Sequence, residues 1–294
     1  MARKQKGAVV VTGASTGIGR ATALYLDQLG YRVFAGVRKQ ADANSLKKEA
    51  SGELTPVTLD VTKPRSIAAA RQKVQRAVGK AGIAGLVNNA GVANAGPVEH
   101  LPVADFQKVI DVNLTGQYAV TQEFLPLVRR GDGTIVFITS IGGLVASPFF
   151  SPYNAAKFGL EGMADSLRRE IKPWKGMNVV VVEPGSIATP IWEKGRGNSA
   201  ASGAKMSAEE RRLYGPQMDR IREVTAEAED RGLEPVEVAK VIEKAIRKRN
   251  PRSRYIVGRD AKMMARMQSL LGDKRFDRLM RGSMDLPDHA PKAR

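Results

Sequence analysis

The apolar residues of this chain follow two alternating patterns, short continuous runs and longer stretches with helical periodicity. The short runs are rich in β-branched residues and lie between turn-forming residues, which is typical of buried strands. They predict strands over Ala8–Thr12, Arg32–Val37, Leu54–Leu59, Gly85–Asn88, Gly133–Thr139, Asn178–Glu183 and Tyr255–Gly258. The periodic stretches predict helices over Ile18–Leu29, Ser66–Val78, Val103–Arg129, Pro152–Lys172 and Pro235–Arg249. Because strands and helices alternate, the pattern predicts an α/β fold with a doubly wound parallel sheet and helices on both of its faces.

The pattern changes after the Pro184-Gly185 pair that follows the sixth predicted strand. The stretch 187–232 contains no strand pattern; it includes the Gly-, Ser- and Ala-rich Gly195–Gly203 and a charged helical stretch from Ser207. A segment of this kind beyond the carboxyl end of a strand is typical of a loop that covers a ligand. We therefore predict a flexible substrate flap over about 187–232.

Helical periodicity returns near the C-terminal end, in Asp260–Met284. The apolar positions there are Met263, Met264, Met267, Leu270, Leu271, Phe276, Leu279 and Met280. Their spacing predicts one or two amphipathic helices. We expect one domain over residues 1–258, a basic amphipathic extension over 259–284 and a disordered tail over 285–294.

The composition excludes several kinds of site. The 294 residues include no cysteine, which excludes disulfide frameworks, thiolate metal sites and cysteine nucleophiles. Only His100 and His289 offer imidazole, so we expect no metal site. No stretch approaches the roughly 18 apolar residues of a membrane span. These features favour a soluble, cytoplasmic protein.

Basic residues outnumber acidic ones by 47 to 30, which gives a formal net charge of +17. Much of this excess lies between Arg247 and Arg281. Such a charge is typical of proteins that bind nucleic acids or anionic membranes. Aromatic residues do not interleave the basic run, so we favour a solvated basic surface and expect no nucleic-acid partner. Peripheral contact of the C-terminal region with an anionic membrane stays open as a further interpretation.

A glycine cluster connects the first predicted strand to the first predicted helix, as Gly13-Ala-Ser-Thr-Gly17-Ile-Gly19. Glycine allows a sharp turn and the close approach of a ligand to the backbone. The free N–H groups and the positive end of the following helix attract a pyrophosphate. In this position the cluster predicts a dinucleotide site, with candidate cofactor-binding residues Gly13, Ser15, Thr16, Gly17, Ile18 and Gly19.

The end of the second predicted strand indicates which dinucleotide binds. An NAD site carries an acidic residue there for the ribose hydroxyl, whereas an NADP site uses an arginine. Here the strand runs into Arg38-Lys39, and the first carboxylate beyond it is Asp42. We predict that Arg38 pairs with a 2′-phosphate, helped by Lys39 or Ser15, and that the cofactor is NADP(H) rather than NAD(H). A plain surface arginine is the alternative interpretation.

Tyr153 and Lys157 are four residues apart near the start of a predicted helix, so their side chains share one face. Acid/base work by a tyrosine near neutral pH needs its pKa lowered by roughly three units, or about 4 kcal/mol. A desolvated lysine ammonium and the positive ring of an oxidised nicotinamide act in that direction. Ser140, 13 residues before Tyr153, is placed to donate a hydrogen bond to a substrate oxygen. A buried tyrosine beside a surface lysine is the alternative.

Taken together, these motifs resemble the short-chain dehydrogenase/reductase family, in the branch with T-G-x-x-x-G-x-G spacing. They occur in order over about residues 8–190. The matching residues are Thr12–Gly19, Asp60-Val61, Asn88–Gly91, Asn113, Ser140, Tyr153-x-x-x-Lys157, Pro184-Gly185 and Thr189. The resemblance implies a Rossmann fold and an NADP(H)-dependent oxidoreductase that moves hydride between nicotinamide and a carbonyl or alcohol.

The resemblance also implies roles for individual residues. Tyr153 would exchange the proton of the substrate oxygen, and Lys157 would bond the nicotinamide ribose. Asn113 would hold a water that links Lys157 to solvent. The remaining implied cofactor contacts are Asp60 and Val61 at the adenine, Asn89, Ala90 and Gly91 near the cofactor, the Pro184-Gly185 pair, and Ile187 and Thr189 at the carboxamide.

Several segments resemble hydroxysteroid and retinol dehydrogenases in particular: Leu86–Val92, Phe158–Glu161, Asp165–Glu170 and Val182–Gly185. This implies a small apolar substrate, either steroid-like, retinoid-like or a lipid. Candidate rim residues, with core or flap packing as the alternative, are Leu144, Val145, Phe149, Phe150, Ile191, Trp192, Leu213 and Tyr214. The resemblance also implies a homodimer or homotetramer formed through helices Val112–Arg129 and Pro152–Lys172.

Two other functions remain as alternatives. A sugar-nucleotide epimerase or dehydratase also uses Tyr-x-x-x-Lys, but its T-G-x-x-G-x-x-G loop and larger C-terminal domain are absent from this sequence. The net charge of +17 keeps open a non-catalytic NADP sensor or nucleic-acid-binding regulator. The presence of Ser140, Tyr153 and Lys157 together favours the enzyme.

Overall fold

A computed structural model of the chain describes residues 6–191, 193 and 207–286. Its centre is a seven-stranded sheet in which every neighbouring pair is parallel. The strand order is β3-β2-β1-β4-β5-β6-β7. The strands are β1 (Lys6–Val11), β2 (Tyr31–Val37), β3 (Leu54–Thr58), β4 (Gly85–Asn88), β5 (Thr134–Ile138), β6 (Asn178–Pro184) and β7 (Arg254–Val257).

Helices cover both faces of this sheet. They are α1 (Gly17–Gln28), α2 (Gln40–Glu49), α3 (Pro64–Val78), α4 (Val103–Ile110), α5 (Gly116–Arg130), α6 (Ser151–Glu170), α7 (Ala208–Asp230), α8 (Pro235–Arg247), α9 (Arg259–Leu270) and α10 (Asp273–Ser283). Val10 faces a core completed by α3, α5 and α6, whereas Val9 and Val11 face a core completed by α1, α2 and α8. The predicted doubly wound α/β fold is confirmed.

The chain reverses direction across the sheet between β1 and β4. The strands β2 and β3 lie on one side of β1, and β4 to β7 lie on the other. The loops that leave the carboxyl ends of β1 and β4 therefore diverge and open a crevice, which is where ligands bind in sheets of this kind. The glycine cluster after β1 lies at this point.

Two predicted elements differ from the structure. The helix predicted over Val103–Arg129 is divided into α4 and α5 by a π-helical turn at Asp111–Thr115. Helix α2 was not predicted, because only Ala43 and Leu46 of its ten residues are buried and its sequence shows no apolar stripe. Three predicted parts lie outside the described residues: Trp192, the whole of Gly195–Gly203, and residues 287–294 of the predicted tail.

The C-terminal segment forms two amphipathic helices, as predicted, and both pack against the body of the protein. Phe276 and Met280 of α10 are buried against Val145, in the loop after β5. At the start of α9, the Asp260 carboxylate accepts a hydrogen bond of 2.8 Å from the backbone N–H of Ser186, just after β6. Most of the apolar face predicted for this segment is therefore covered by the protein itself.

Candidate active site

The turn after β1 has the backbone shape that its glycines predict. Gly13 and Gly17 have φ values of +63° and +56°, a conformation that favours glycine. A Cβ on Gly13 would lie 2.7 Å from the Cα of Ala90, and one on Gly17 would lie 3.1 Å from Cγ2 of Thr189. The turn is thus enclosed by the loops after β4 and β6, with no room for side chains.

Hydrogen bonds hold the loop after β4 against this turn. The Thr12 hydroxyl accepts bonds from the backbone N–H groups of Asn89 and Ala90, at 2.9 and 3.0 Å. The Asn89 side chain donates to the carbonyl oxygens of Thr12 and Gly13, at 2.9 and 3.2 Å. Asn88 is fully buried and donates to the Thr121 hydroxyl. These contacts join the two sides of the crevice at its base.

Helix α1 begins inside the crevice at Gly17. Its N-cap residue Thr16 makes no side-chain capping bond, so the N–H groups of the first turn are available to an anion. This donor set and the absence of Cβ atoms at Gly13 and Gly17 fit a dinucleotide pyrophosphate. Gly19 does not line the groove; a Cβ there would lie 2.3 Å from the Gly13 carbonyl oxygen, so Gly19 serves the packing of α1 on the turn.

Arg38 lies at the other end of the groove, exposed beyond β2. Among the described residues, no hydrogen bond or ion pair engages its guanidinium. Asp60 lies close enough for Arg38 to influence its titration. Burial acts to raise the pKa of Asp60, but the hydrogen bonds from Thr62 and the charges of Lys63 and Arg38 outweigh burial and lower it. A positive group and a carboxylate therefore flank the space where an adenosine would lie.

Tyr153 and Lys157 lie together in the first turns of α6, close to the end of β5. Both are almost completely buried. The Lys157 ammonium lies 5.5 Å from the centre of the Tyr153 ring and donates a bond of 2.8 Å to the carbonyl of Ile138. The Ser140 hydroxyl forms a hydrogen bond with Tyr153 and accepts one of 3.0 Å from the backbone N–H of Gly142. That backbone bond helps to hold the Ser140 hydroxyl beside the phenol.

The buried environment changes how both groups titrate. Burial raises the pKa of Tyr153, and the Ser140 hydrogen bond acts in the opposite direction. This net direction is opposite to the shift that acid/base work requires. Burial also lowers the pKa of Lys157 to about 8, against the negative charge of Glu161, which acts to raise it. Lys157 therefore loses its proton more readily than an exposed lysine does.

Asn113 lies in the π-helical turn between α4 and α5 and does not line the groove. It is fully buried, and both ends of its amide bond the backbone of Val92. Its oxygen accepts from the Val92 N–H and its nitrogen donates to the Val92 carbonyl, each at 2.8 Å. The side chain therefore anchors the loop after β4.

The groove brings together the other candidate catalytic and cofactor-binding residues, whereas Lys39, predicted as a helper of Arg38, does not line it. Its lining includes Gly13, Ser15, Thr16, Gly17, Ile18, Arg38, Asp60, Val61, Asn89, Ala90, Gly91, Ser140, Tyr153, Lys157, Pro184, Gly185, Ile187 and Thr189. Several lining residues were not predicted, among them Val92, Ala93, Val112, Thr139 and Pro190. Their one sequence signal is position, because each lies just beyond a strand or beside a predicted site residue.

An apolar wall continues the groove beyond Tyr153. Tyr153 packs with Ala93, Ala95, Phe150 and Ile221, and partly buried residues around them are Phe149, Ile191 and Met284. Of the predicted rim residues, Phe149, Phe150 and Ile191 belong to this wall. Leu144 and Val145 instead pack against α10, which bears out the core-packing alternative for those two.

Helix α7 contributes Ile221 to this wall and is fastened at its N-terminal end. Ser207 and Glu210 form a capping box there. His100 Nδ1 lies 2.8 Å from the Glu210 carboxylate, and the Tyr214 hydroxyl donates a bond of 2.7 Å to Glu99. No sequence pattern indicated these contacts, because His100 and Glu99 lie in a loop more than 100 residues before α7.

Residues 7–199 match the family described as short chain dehydrogenase. The chain belongs to the short-chain dehydrogenase family. It is therefore an oxidoreductase of a family that acts on CH–OH groups with NAD(H) or NADP(H). Retinol dehydrogenase 5 of Mus musculus is 37% identical over 262 residues, which cover 87% of this chain and 82% of that protein. The NADPH-dependent 3-dehydrocapnine reductase of Ornithobacterium rhinotracheale is 32% identical over 275 residues, which cover 92% and 94%.

Solved structures of short-chain dehydrogenases share the fold. A crystal structure of a short chain dehydrogenase/reductase from Burkholderia phymatum, in complex with NAD, superposes with a TM-score of 0.76 over 100% of both chains. Its sequence is 20% identical. No helix among the described residues of this short-chain dehydrogenase is long and apolar enough to cross a membrane.

Proposed function

We propose that this protein is an NADP(H)-dependent dehydrogenase or reductase that interconverts a carbonyl and a secondary or primary alcohol on an apolar substrate. One observation carries the proposal: a buried phenol, bonded to Ser140 and backed by Lys157, lies between the glycine turn and an apolar wall. That arrangement provides an acid/base beside a dinucleotide site and a surface for an apolar group.

In the proposed reaction, Tyr153 exchanges a proton with the substrate oxygen. Ser140 donates a hydrogen bond to the same oxygen and holds it within reach of the phenol. Lys157 favours the phenolate by its positive charge and bonds the nicotinamide ribose. When bound, the nicotinamide supplies or accepts the hydride, and its oxidised ring adds positive charge beside Tyr153. The burial of both side chains excludes water from the proton transfer.

The choice of NADP(H) depends on Arg38. Its exposed guanidinium has no partner among the described residues, and no carboxylate follows β2 before Asp42 to bind a ribose hydroxyl. One relative named above is NADPH-dependent by its name. Arg38 thus suits a 2′-phosphate, and Ser15 lines the same groove.

The Arg38→Asp variant tests this choice. We expect its NADPH-to-NADH ratio of kcat/KM to fall by about 10- to 100-fold, because a charge-assisted bond of about 1.5–3 kcal/mol is lost and a repulsion is added. The measurement is NADPH or NADH oxidation at 340 nm, with a panel of apolar ketones and aldehydes. Lys80→Asp is the matched control, since Lys80 is exposed and does not line the groove. An unchanged ratio in Arg38→Asp would remove Arg38 from the site.

The same panel tests the substrate class. The wall formed by Phe149, Phe150, Ile191, Ile221 and Met284 offers aromatic and aliphatic surface and no charged group. A relative named for retinol supports an apolar substrate. We expect kcat/KM to rise with the apolar surface of the ketone. Turnover restricted to small polar ketones would contradict this assignment.

We also propose a homodimer or homotetramer that forms through α5 and α6. Tyr118 of α5 and Phe158 of α6 are large exposed residues on these helices, and Gly159 lies against Leu114 with little space between them. An interface would remove such apolar surface from water. Light scattering that finds only monomers would reject this assembly.

Finally, we propose peripheral contact between α9 and an anionic membrane, where an apolar substrate would dissolve. Met263 and Leu270 are 55% and 82% exposed and lie on one face of α9, two turns apart. Arg259 and Arg266 share that face, which suits an anionic surface. We expect the double variant Met263→Asp, Leu270→Asp to lose co-sedimentation with phosphatidylserine vesicles. Equal co-sedimentation of the double variant and the unaltered protein would contradict this membrane contact.

A further inference from the structure

Four charged side chains form a cluster around Arg254, one helical turn beyond Lys157. Glu161 and Asp165 belong to α6, Glu183 to β6 and Arg254 to β7. Arg254 donates hydrogen bonds to Glu161, to Glu183 at 2.9 Å and to Asp165 at 3.1 Å. One guanidinium thus bridges three carboxylates from two elements.

Asp165 also pairs with Arg168 and Arg169, so the local excess of negative charge lies at Glu161 and Glu183, which share Arg254 in a poorly hydrated place. The Glu161 and Glu183 side chains are only 8% and 1% exposed. Each keeps one buried carboxylate oxygen without a hydrogen-bond partner among the described residues. Burial and the charge of Glu161 raise the pKa of Glu183, and Arg254 acts against them. An uncompensated buried carboxylate is costly, so a further cation close to Glu161 stabilises the cluster.

Lys157 is such a cation at longer range: its ammonium donates to the Ile138 carbonyl and forms no direct ion pair with Glu161 in the described part of the chain. Lys157 lies four residues before Glu161 on the same face of α6 and is almost completely buried. The negative charge of Glu161 acts to raise the pKa of Lys157, and the same charge also acts on Glu183 and Arg254. The acid/base pair of the groove is therefore linked to the cluster through Glu161.

We propose that Glu161 is a positioning residue for the reaction: its carboxylate, held in place by Arg254, keeps Lys157 in the ammonium form beside Tyr153. This inference rests on the proposed function, which needs that positive charge to favour the phenolate. It assigns to the buried cluster an effect on the pH range of the enzyme in addition to its contribution to stability.

The sign of the effect follows from the charges. Burial lowers the pKa of Lys157 to about 8, and Glu161 acts to raise it. Removal of the Glu161 charge therefore lets Lys157 lose its proton at a lower pH. The alkaline limb of kcat/KM should move to lower pH, by about one unit, as expected for the loss of one nearby opposite charge. In the proposed reaction the charge of Lys157 favours the Tyr153 phenolate, so the alkaline limb reports both groups.

The test compares Glu161→Gln with Asp165→Asn. Both variants remove a carboxylate from Arg254, but Asp165 lies two turns from Lys157. The first readout is the pH profile of kcat/KM with NADPH. The second is the NMR titration of the Lys157 side chain in cofactor-free protein with ¹³C-labelled lysine, assigned by the resonance missing from Lys157→Met. We expect Glu161→Gln to shift both readouts downward and Asp165→Asn to shift neither. Glu161→Asp, which keeps the charge, should restore the unaltered profile.

Two results would overturn the inference. One is a Glu161→Gln protein whose Lys157 resonance titrates as in the unaltered chain. The other is an equal shift in Asp165→Asn, which would reveal a general effect of the weakened cluster. If Glu161→Gln does not fold, the NMR titrations of the other two variants decide. The inference then requires that the titration midpoint of Lys157 is unchanged in Asp165→Asn and stays close to its original value in Glu161→Asp. The NMR readout needs no turnover, so a failed assignment of the reaction would show separately as an inactive unaltered enzyme.

Discussion

The Tyr153→Phe variant is expected to lose about 10²- to 10⁴-fold in kcat while it retains NADPH binding, since positioned acid/base groups contribute rate enhancements of that size. The substitution removes one oxygen from a ring packed among Ala93, Phe150 and Ile221, so the wall keeps its shape. Cofactor affinity follows from NADPH fluorescence titration, and kcat from absorbance at 340 nm. The free energy of unfolding should change little, because the ring and its burial are retained.

A matched control separates the chemistry from a general effect of the substitution. Tyr118→Phe removes the same oxygen from an exposed tyrosine of α5 that does not line the groove. We expect this variant to keep the original kcat. If Tyr153→Phe turns over at a rate similar to that of Tyr118→Phe, then Tyr153 is not the acid/base and the proposed mechanism is wrong.

The Gly13→Ala variant is expected to lose about 3 kcal/mol of folding free energy and at least tenfold in NADPH affinity. A non-glycine residue in the left-handed region costs roughly 1–2 kcal/mol, and the new Cβ would lie 2.7 Å from the backbone of Ala90. Overlap with backbone atoms adds about 1–3 kcal/mol, because a close-packed turn must shift to relieve it. That shift would separate the glycine turn from the loop after β4, on which the groove depends. Thermal unfolding and NADPH titration measure the two losses.

Gly79→Ala is the control for this prediction. Gly79 has a φ of +58°, close to that of Gly13, but a Cβ there would meet no atom within 4 Å. Because its ψ is −130°, a region that non-glycine residues rarely adopt, we expect Gly79→Ala to lose about 1–3 kcal/mol from the backbone alone and to bind NADPH normally. An NADPH affinity that is equal in the two variants would show that the contact with Ala90 relaxes without disturbing the groove.

The sequence was sufficient to predict the sheet and most of the groove, because both depend on local patterns. Each strand of a buried parallel sheet is a continuous apolar run, and the glycine turn and Tyr153-x-x-x-Lys157 are short motifs. Helix α2 was missed because it buries only Ala43 and Leu46 and has no periodic apolar face. The π-helical turn was missed because it changes the hydrogen-bond ladder and not the apolar pattern.

The remaining differences arise from tertiary contacts. Gly19 belongs to the glycine motif, yet it packs against Gly13 and Asn89 and does not line the groove. The apolar face of α9 and α10 has the same sequence pattern whether it meets a membrane or the loop after β5. The structure shows that Phe276 and Met280 pack on that loop. Likewise, the contact of His100 with Glu210 joins distant segments and leaves no local pattern.

The position of Met284 allows substrate selectivity to change separately from proton transfer. This residue lies at the end of α10 and packs both with the wall near Tyr153 and with the loop after β5. Arg220 of α7 also donates a bond of 3.3 Å to its carbonyl. Changes of side-chain volume near the end of the chain can therefore reshape the cavity for the substrate's apolar part while the proton-transfer residues stay in place. Related proteins can thus differ in substrate selectivity while they share the same proton-transfer residues.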